Sequence, residues 1–247
     1  MAGHEGRGRL TVPAAAAAAP REGDGVRELV QVMDLLRSPG GCPWDAEQTH
    51  RSLVPFALEE AHEVAEAIET GDRVGMREEL GDLLLQVVFH ARLAQEHDVD
   101  PFDLDDVARG VAAKLVRRHP HVFAPGTSGA GSPDDDVDEV HARWERIKNV
   151  EKQRTSVLQG IPLAQGALAR GQKVLSRARR AGLPVDAAVA ARRHVDAAAP
   201  DEAASAAFGA RLLLLAAEAD AAGIDAESAL RAALRTLEAD VRASEAR

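Results

Sequence analysis

Five carboxylates pose the first chemical question of this sequence: Glu59, Glu60 and Glu63 in "LEEAHE", then Glu79 and Asp82 in "EELGD". At about 100° per residue, Glu59, Glu63 and Glu66 fall within roughly a 60° arc of a helix, with Glu60 beside them. Leu58, Ala61, Val64, Ala65 and Ile68 cover the other side. Taken alone, that is the pattern of a solvated acidic face. The next helix differs. From Leu80 to Leu93 its apolar residues go nearly all the way round, which predicts a largely buried helix whose one polar stripe is Glu79, Asp82, Gln86 and His90. A buried carboxylate without a partner is costly, so the stripe needs cations or donors opposite it. The antiparallel neighbour across a short turn is the Glu59/Glu60/Glu63 face, which brings more negative charge. Carboxylates gathered in this way are tolerable mainly when a hard divalent cation neutralises them, and an all-oxygen set favours Mg²⁺ or Mn²⁺ over zinc. No Cys or His completes a zinc set at the usual spacing. A di-iron bundle site would need two Glu-x-x-His motifs and two further Glu. Glu59-x-x-His62 supplies one, and the acidic pair on the next helix has no histidine three residues on.

Cations for an anionic ligand stand downstream. "KLVRRHPHVF" places Lys114 and Arg118 on one helical face at i, i+4, and "HARWERIKNVEK" repeats that spacing with Trp144 and Lys148. Basic residues taken singly are usually just solvated. Beside a metal-binding acid cluster, two cations and an indole suit a nucleotide polyphosphate, with metal and cations for the phosphates and the ring for the base. Upstream, the turn-rich "GGCPWDAEQTH" carries Trp44, Asp45 and Gln48; Trp44 and Gln48 either contact a base or cap the bundle. His119 and His121, flanking Pro120, read as loop anchors.

The elements that must position these groups are helical throughout. Alternating β-branched runs are missing and nearly every segment shows helical period, so the expected fold class is all-α, a helical bundle. Helices are expected over Val26 to Arg37, Val54 to Glu69, Arg73 to His97 with Asp72 as N-cap, Leu104 to Arg118 and Val137 to about Gln153. Three more are expected near Leu163 to Arg180, Pro200 to Ala222 and Ala226 to Ala243. "HPHVFAPGTSGAGSPDDD" reads as a long loop or mobile flap without regular structure. Residues 1–24 read as a disordered tail, 25–157 as the domain with the acids, and 158–247 as a second helical domain.

The second domain echoes the first. "EELGDLLLQVVFHARLAQEHDVD" aligns with "AAFGARLLLLAAEADAAGID", matching Gly81 to Gly209 and Val99-Asp100 to Ile224-Asp225. Glu78, Glu79 and Asp82 become Ala206, Ala207 and Ala210, while Lys114 and Arg118 become Thr236 and Asp240. Acids and cations disappear together while the hydrophobic frame stays. The helical scaffold therefore does not itself require those carboxylates.

Whole-chain properties narrow the classes further. Thirty basic residues against 40 acidic ones give a net charge of -10, which argues against bulk nucleic-acid binding. Cys42 is the only cysteine, so no internal disulfide forms and a reducing, cytoplasmic compartment is expected. No apolar run is long enough to span a membrane. The N-terminal alanine run, bracketed by Pro13 and Pro20, is too weakly hydrophobic for an export signal.

The ordered series "CPWDAEQTH", "EEAHE", "ELGD", "KLVRRHPHVF" and "WERIK" resembles the MazG family of nucleoside triphosphate pyrophosphohydrolases, whose pattern is EExxE followed by ExxD. The match is close over about Leu29 to Lys152, and "QKVLSRARRAGLPV" continues it more weakly. The resemblance implies an all-α pyrophosphatase fold, obligate homodimerisation, and Mg²⁺-dependent cleavage of an NTP to NMP and pyrophosphate by water attack at the α-phosphorus. It implies Glu59, Glu60, Glu63, Glu79 and Asp82 as catalytic metal-binding acids, and Lys114, Arg118, Trp144 and Lys148 as nucleotide contacts. The second domain departs from the pattern: its ExxD is gone and the stretch that should hold EExxE is alanine-rich. Activity is therefore expected in the first domain alone. The competing reading is a non-enzymatic helical dimer that binds a nucleotide or a partner protein.

Overall fold

The computed structural model describes residues 23–123 and 155–246 and, between them, residues 140, 143, 144, 147, 148 and 151, which are helical. The expected N-terminal tail lies outside the described residues except for Gly23 and Asp24, which begin α1 instead, and most of the expected flap lies outside them too. Among the described residues every regular element is a helix. They are α1 (Asp24–Arg37), α2 (Pro43–Glu47), α3 (Val54–Thr70), α4 (Arg73–Ala94), α5 (Leu104–Arg118), α6 (Pro120–Phe123), α7 (Ala167–Arg180), α8 (Ala187–Asp196), α9 (Ala203–Ala221) and α10 (Ala226–Glu245). None is long and apolar enough to cross a membrane. The chain divides into two compact units, Met1–Asp135 and Asp136–Arg247.

In the first unit α4 is the axis, with α1, α3 and α5 packed on it. The α3–α4 hairpin owes its tightness to two residues. Gly71 ends α3 in the left-handed region (φ 74°), which a residue with a Cβ rarely adopts, and Asp72 caps α4 by accepting from the amides of Val74 and Gly75, both at 3.0 Å. Asp72 is thus the N-cap that the sequence predicts. Asp103 caps α5 through a reciprocal capping box with Asp106. The core gathers Met33 of α1, Leu53, and Val88, Phe89 and Leu93 of α4, with Leu29, Leu84 and Leu104 packed around it.

A charged clasp closes the end of this core. Arg37, its side chain almost fully buried, donates from Nε and Nη2 to the two carboxylate oxygens of Glu96 at 2.8 and 2.9 Å, and from Nη1 to the Asp45 carbonyl. Arg92 adds a 2.9 Å bond to Glu96 and a 2.8 Å bond to Asp34. Arg37 thereby ties α1 to α2, and the Glu96 carboxylate ties α1 to the end of α4.

Three readings of the sequence need correction. α4 ends at Ala94 rather than His97, and it is less enclosed than its composition predicts, with Leu80 48% exposed and Val87 also open to solvent. α1, α3 and α5 do not enclose all of its apolar circumference. The stretch "PHVF" is a single helical turn although it sits in a segment read as irregular, because Pro120 at a first helical position supplies a compatible φ. α2 and α8 were not anticipated. One is short and the other, "AAVAARRHVD", is too alanine-rich to show an apolar period.

The second unit repeats the contact scheme. α9 packs against α7, α8 and α10 as α4 does against α1, α3 and α5. Gly81 in α4 and Gly209 in α9 hold the aligned positions, and Asp103 and Asp225 cap the helices that follow. Ala206 and Ala210, aligned with Glu78 and Asp82, are buried in this unit's core.

The clasp makes a stability prediction. The hydrogen bond from Arg37, together with the charges of Arg37 and Arg92, holds the Glu96 carboxyl below its usual range against some opposing burial. A depressed carboxylate contributes stability above its unfolded pKa and loses it as pH falls through the folded pKa. Glu96→Gln is expected to lose roughly 1–2 kcal/mol at pH 7, since the buried Arg37 guanidinium loses its charged partner while Glu96 itself is partly solvated. Urea unfolding at pH 7 and pH 3 checks this, with the gap between variant and wild type narrowing at the lower pH.

Candidate metal centre

The hairpin register decides which acids meet. Glu60 faces inward from α3, and Glu79 and Asp82 stand one helical turn apart on α4. One carboxylate oxygen from each of the three lies within 4.8 Å of the others, and all three side chains are partly buried. Glu63, one turn along α3 from Glu60, adds its negative charge beside both Glu60 and Glu79. Glu59 is exposed on the outer flank of α3 and stands outside the triad. Of the five acids nominated from sequence, the structure joins four and leaves Glu59 apart.

The electrostatics are those of an uncompensated cluster. The Glu60 carboxyl is pushed above its usual range by burial first, then by the charges of Asp82, Glu63 and Glu79. Glu79 is raised in the same way by burial, then by Glu63, Glu78 and Asp82. Oxygen-only donors held this close, two of them resisting ionisation because of their neighbours, fit a hard divalent cation.

The other nominated residues fall in different settings. Trp44, on α2, is half exposed and meets the Phe56 ring edge-on at 6.1 Å, which seats the indole one turn before Glu60 on α3. The Gln48 amide is taken up locally: its Nε2 donates to the Trp44 carbonyl at 2.9 Å and its Oε1 accepts from the Ser52 hydroxyl at 2.7 Å. Lys114 is exposed on α5, whereas Arg118, one turn on, is buried with 7% of its surface accessible. In the second unit, Lys148 places its ammonium 4.3 Å from the centre of the Trp144 ring. His119 donates from Nδ1 to the Leu115 carbonyl, 2.7 Å away, and packs against His121, which anchors the end of α5.

Two features of the site were not nominated from sequence. His50, just after α2, stacks flat on His90 of α4 with a 2.9 Å contact between their Nδ1 atoms, pinning the 43–50 segment to the hairpin. Burial and the facing His50 hold the His90 imidazole below its usual range. Gln86, one turn beyond Asp82, is buried and its Oε1 has no hydrogen-bond partner. The polar stripe on an otherwise apolar helix was the signal for both Gln86 and His90.

The sequence is similar to those of known proteins. A family model described as the MazG nucleotide pyrophosphohydrolase domain matches residues 48–123, which span both acidic helices and α5. An uncharacterized 26.1 kDa protein of Streptomyces cacaoi is 46% identical over 88% of this chain and 81% of its own length. The nucleoside triphosphate pyrophosphohydrolases of Mycolicibacterium smegmatis and Escherichia coli K12 are 44% and 45% identical over 69% and 64% of this chain. The chain spans 51% and 58% of those two enzymes' lengths.

If the cluster is strained by its own charge, metal-free protein loses stability as pH rises through the elevated pKa values of Glu60 and Glu79, because a raised carboxyl favours the folded state only while protonated. In a chelator at pH 7, Asp82→Asn is expected to melt a few degrees above wild type. Added Mg²⁺ or Mn²⁺ should reverse that order by stabilising wild type more than the variant. Thermal unfolding followed by circular dichroism with and without the cation reads both effects.

Proposed function

Because the chain belongs to the MazG family, we propose that its first unit is a Mg²⁺-dependent nucleoside triphosphate pyrophosphohydrolase that yields a nucleoside monophosphate and pyrophosphate. The observation that carries the proposal is the Glu60–Glu79–Asp82 triad, with oxygens within 4.8 Å. The names of the M. smegmatis and E. coli relatives support the substrate class.

A metal-free triphosphate, of charge about -4, would be repelled by this cluster, so binding and chemistry both depend on the cation. Glu60, Glu79 and Asp82 would hold it, and Mn²⁺ would serve in place of Mg²⁺. When bound, the cation supplies polarisation of the phosphate oxygens and a lowered pKa for a ligated water. The chain's own part is positional. The two-residue hairpin turn fixes the acids without a mobile loop, partial burial limits water around the reacting phosphorus, and a carboxylate of the same cluster takes the proton of the attacking water. Attack at the α-phosphorus is the family's chemistry. Lys114 is exposed and available to phosphate, and Trp44, packed on Phe56 one turn before Glu60, offers a face for the base.

The role in the cell would be clearance of unwanted nucleotides from the cytoplasmic pool. We place activity in the first unit alone, since buried Ala206 and Ala210 occupy the acidic positions of the second. The exposed Leu58, Leu80, Val87, Val111 and Leu115 of α3, α4 and α5 support a homodimer.

Glu60→Gln and Asp82→Asn are each expected to lower NTP turnover by roughly a hundredfold or more while leaving the helical circular dichroism signal unchanged. Wild-type rates in both variants would reject the assignment. Binding of NTP without turnover by wild-type protein would favour the non-enzymatic alternative.

A further inference from the structure

The packing of α1, α4 and α5 leaves a cavity of about 270 Å³ on the side of α4 away from the acids. At about 100° per residue, the α4 side chains that line it, Val88, Ala91 and Arg92, centre roughly half a turn round the helix from Glu79 and Asp82. Its walls are apolar, with Val88 and Ala91 buried and Leu104 beside them, and its rim carries the carboxamides of Gln31 and Gln95. Both glutamines are exposed, so a ligand in solution reaches them.

The second unit shows what a glutamine at this junction does when the fold uses it. Gln172, on α7, donates from Nε2 to the Ile224 carbonyl at 2.7 Å and accepts at Oε1 from the Ala226 amide at 2.9 Å. Those two groups stand either side of Asp225, the cap of α10. The first unit has the same parts, with Gln31 on α1 and with Phe102 and Leu104 either side of Asp103, the cap of α5. The bridge is not made, and among the described residues the Gln31 side chain has no hydrogen bond. Chain length is the reason. Nine residues, 95–103, join α4 to α5, whereas four, 222–225, join α9 to α10, so nothing draws the start of α5 up against α1.

The unmade bridge indicates the ligand. A carboxamide pairs at both of its polar atoms with a group that presents a carbonyl and an N–H side by side, as Ile224 and Ala226 together do for Gln172. The imide edge of uracil or thymine is such a group: its N–H lies between two carbonyls, and its flat ring suits apolar walls. The volume of about 270 Å³ falls just below the range of about 300–1,000 Å³ typical of drug-sized ligands, which fits a base and not a whole nucleotide. Asp34 and Arg92 at the rim are paired with each other at 2.8 Å, and Arg92 also bonds Glu96, so the cavity offers no surplus positive charge to a phosphate. We propose that this cavity is a binding site for the uracil or thymine base of a nucleoside, with Gln31 paired to the imide edge, separate from the acid cluster. No metal, phosphate or acid of the triad takes part, so the site is independent of the hydrolase reading.

Saturation-transfer NMR on the full chain in EDTA tests it, with uridine and 3-methyluridine as probes of wild type and of the near-isosteric Gln31→Met. Gln31 is exposed, so the variant keeps the fold, and its circular dichroism melting curve checks this. Uridine should bind wild type at millimolar concentration. Methylation of the imide nitrogen and the Gln31→Met substitution should each weaken that binding by about tenfold, the loss expected when a paired hydrogen-bonding edge is removed. No binding of uridine by wild type overturns the inference. So does equal binding of 3-methyluridine, or undiminished binding of uridine by folded Gln31→Met. With the acid cluster held free of metal throughout, a protein that fails to hydrolyse any triphosphate still gives a decisive result here.

Discussion

Everything at the candidate site depends on the register of two antiparallel helices, set by a turn only two residues long. Gly71 reverses the chain at a positive φ and Asp72 starts the next helix with its own side chain, so α3 and α4 have little freedom to slide. That register puts Glu60 against Glu79 and Asp82 and draws in Glu63, although each carboxylate raises the cost of ionising the next. The fold tolerates the repulsion because the hairpin is anchored elsewhere, by the Met33–Phe89 core and by the Arg37–Glu96–Arg92 clasp. A stable frame holding an electrostatically unfavourable cluster is what a cation site requires before its cation arrives.

The two units offer a comparison within one chain. Both are built on a central helix with three helices against it, and both retain a glycine at the aligned position of that helix. Where α4 carries Asp82, α9 buries Ala210 and closes its packing with small side chains. The contact scheme is thus compatible with either a charged, ligand-dependent interior or a closed alanine interior. The acids of the first unit are therefore better explained by binding than by folding.

Much of this was legible in the sequence. Helical period, the Asp72 cap and the conflict between an apolar helix and its acidic stripe all follow from residue spacing. The MazG resemblance supplied an activity to propose, which spacing alone leaves open, and the family match and the relatives bear out the resemblance. What the spacing could not supply was side-chain commitment. Glu59 lies on the same helical arc as Glu63, yet the packing of α3 turns Glu60 inward and leaves Glu59 in solvent. Gln48 has the composition of a base contact but spends its amide on Trp44 and Ser52, and Arg118 is buried where a helical wheel shows only a cation. Short elements such as α2 and α8 were missed because five to ten residues carry too little periodicity to register.

In the proposed reaction the first unit directs water to the α-phosphorus of a nucleoside triphosphate. Hydrolysis in ¹⁸O-enriched water with Mg²⁺, followed by mass spectrometry of both products, reads the site of attack. Attack at the α-phosphorus leaves one heavy oxygen in the nucleoside monophosphate and none in the pyrophosphate. Label in the pyrophosphate, or release of orthophosphate with a nucleoside diphosphate, would contradict it.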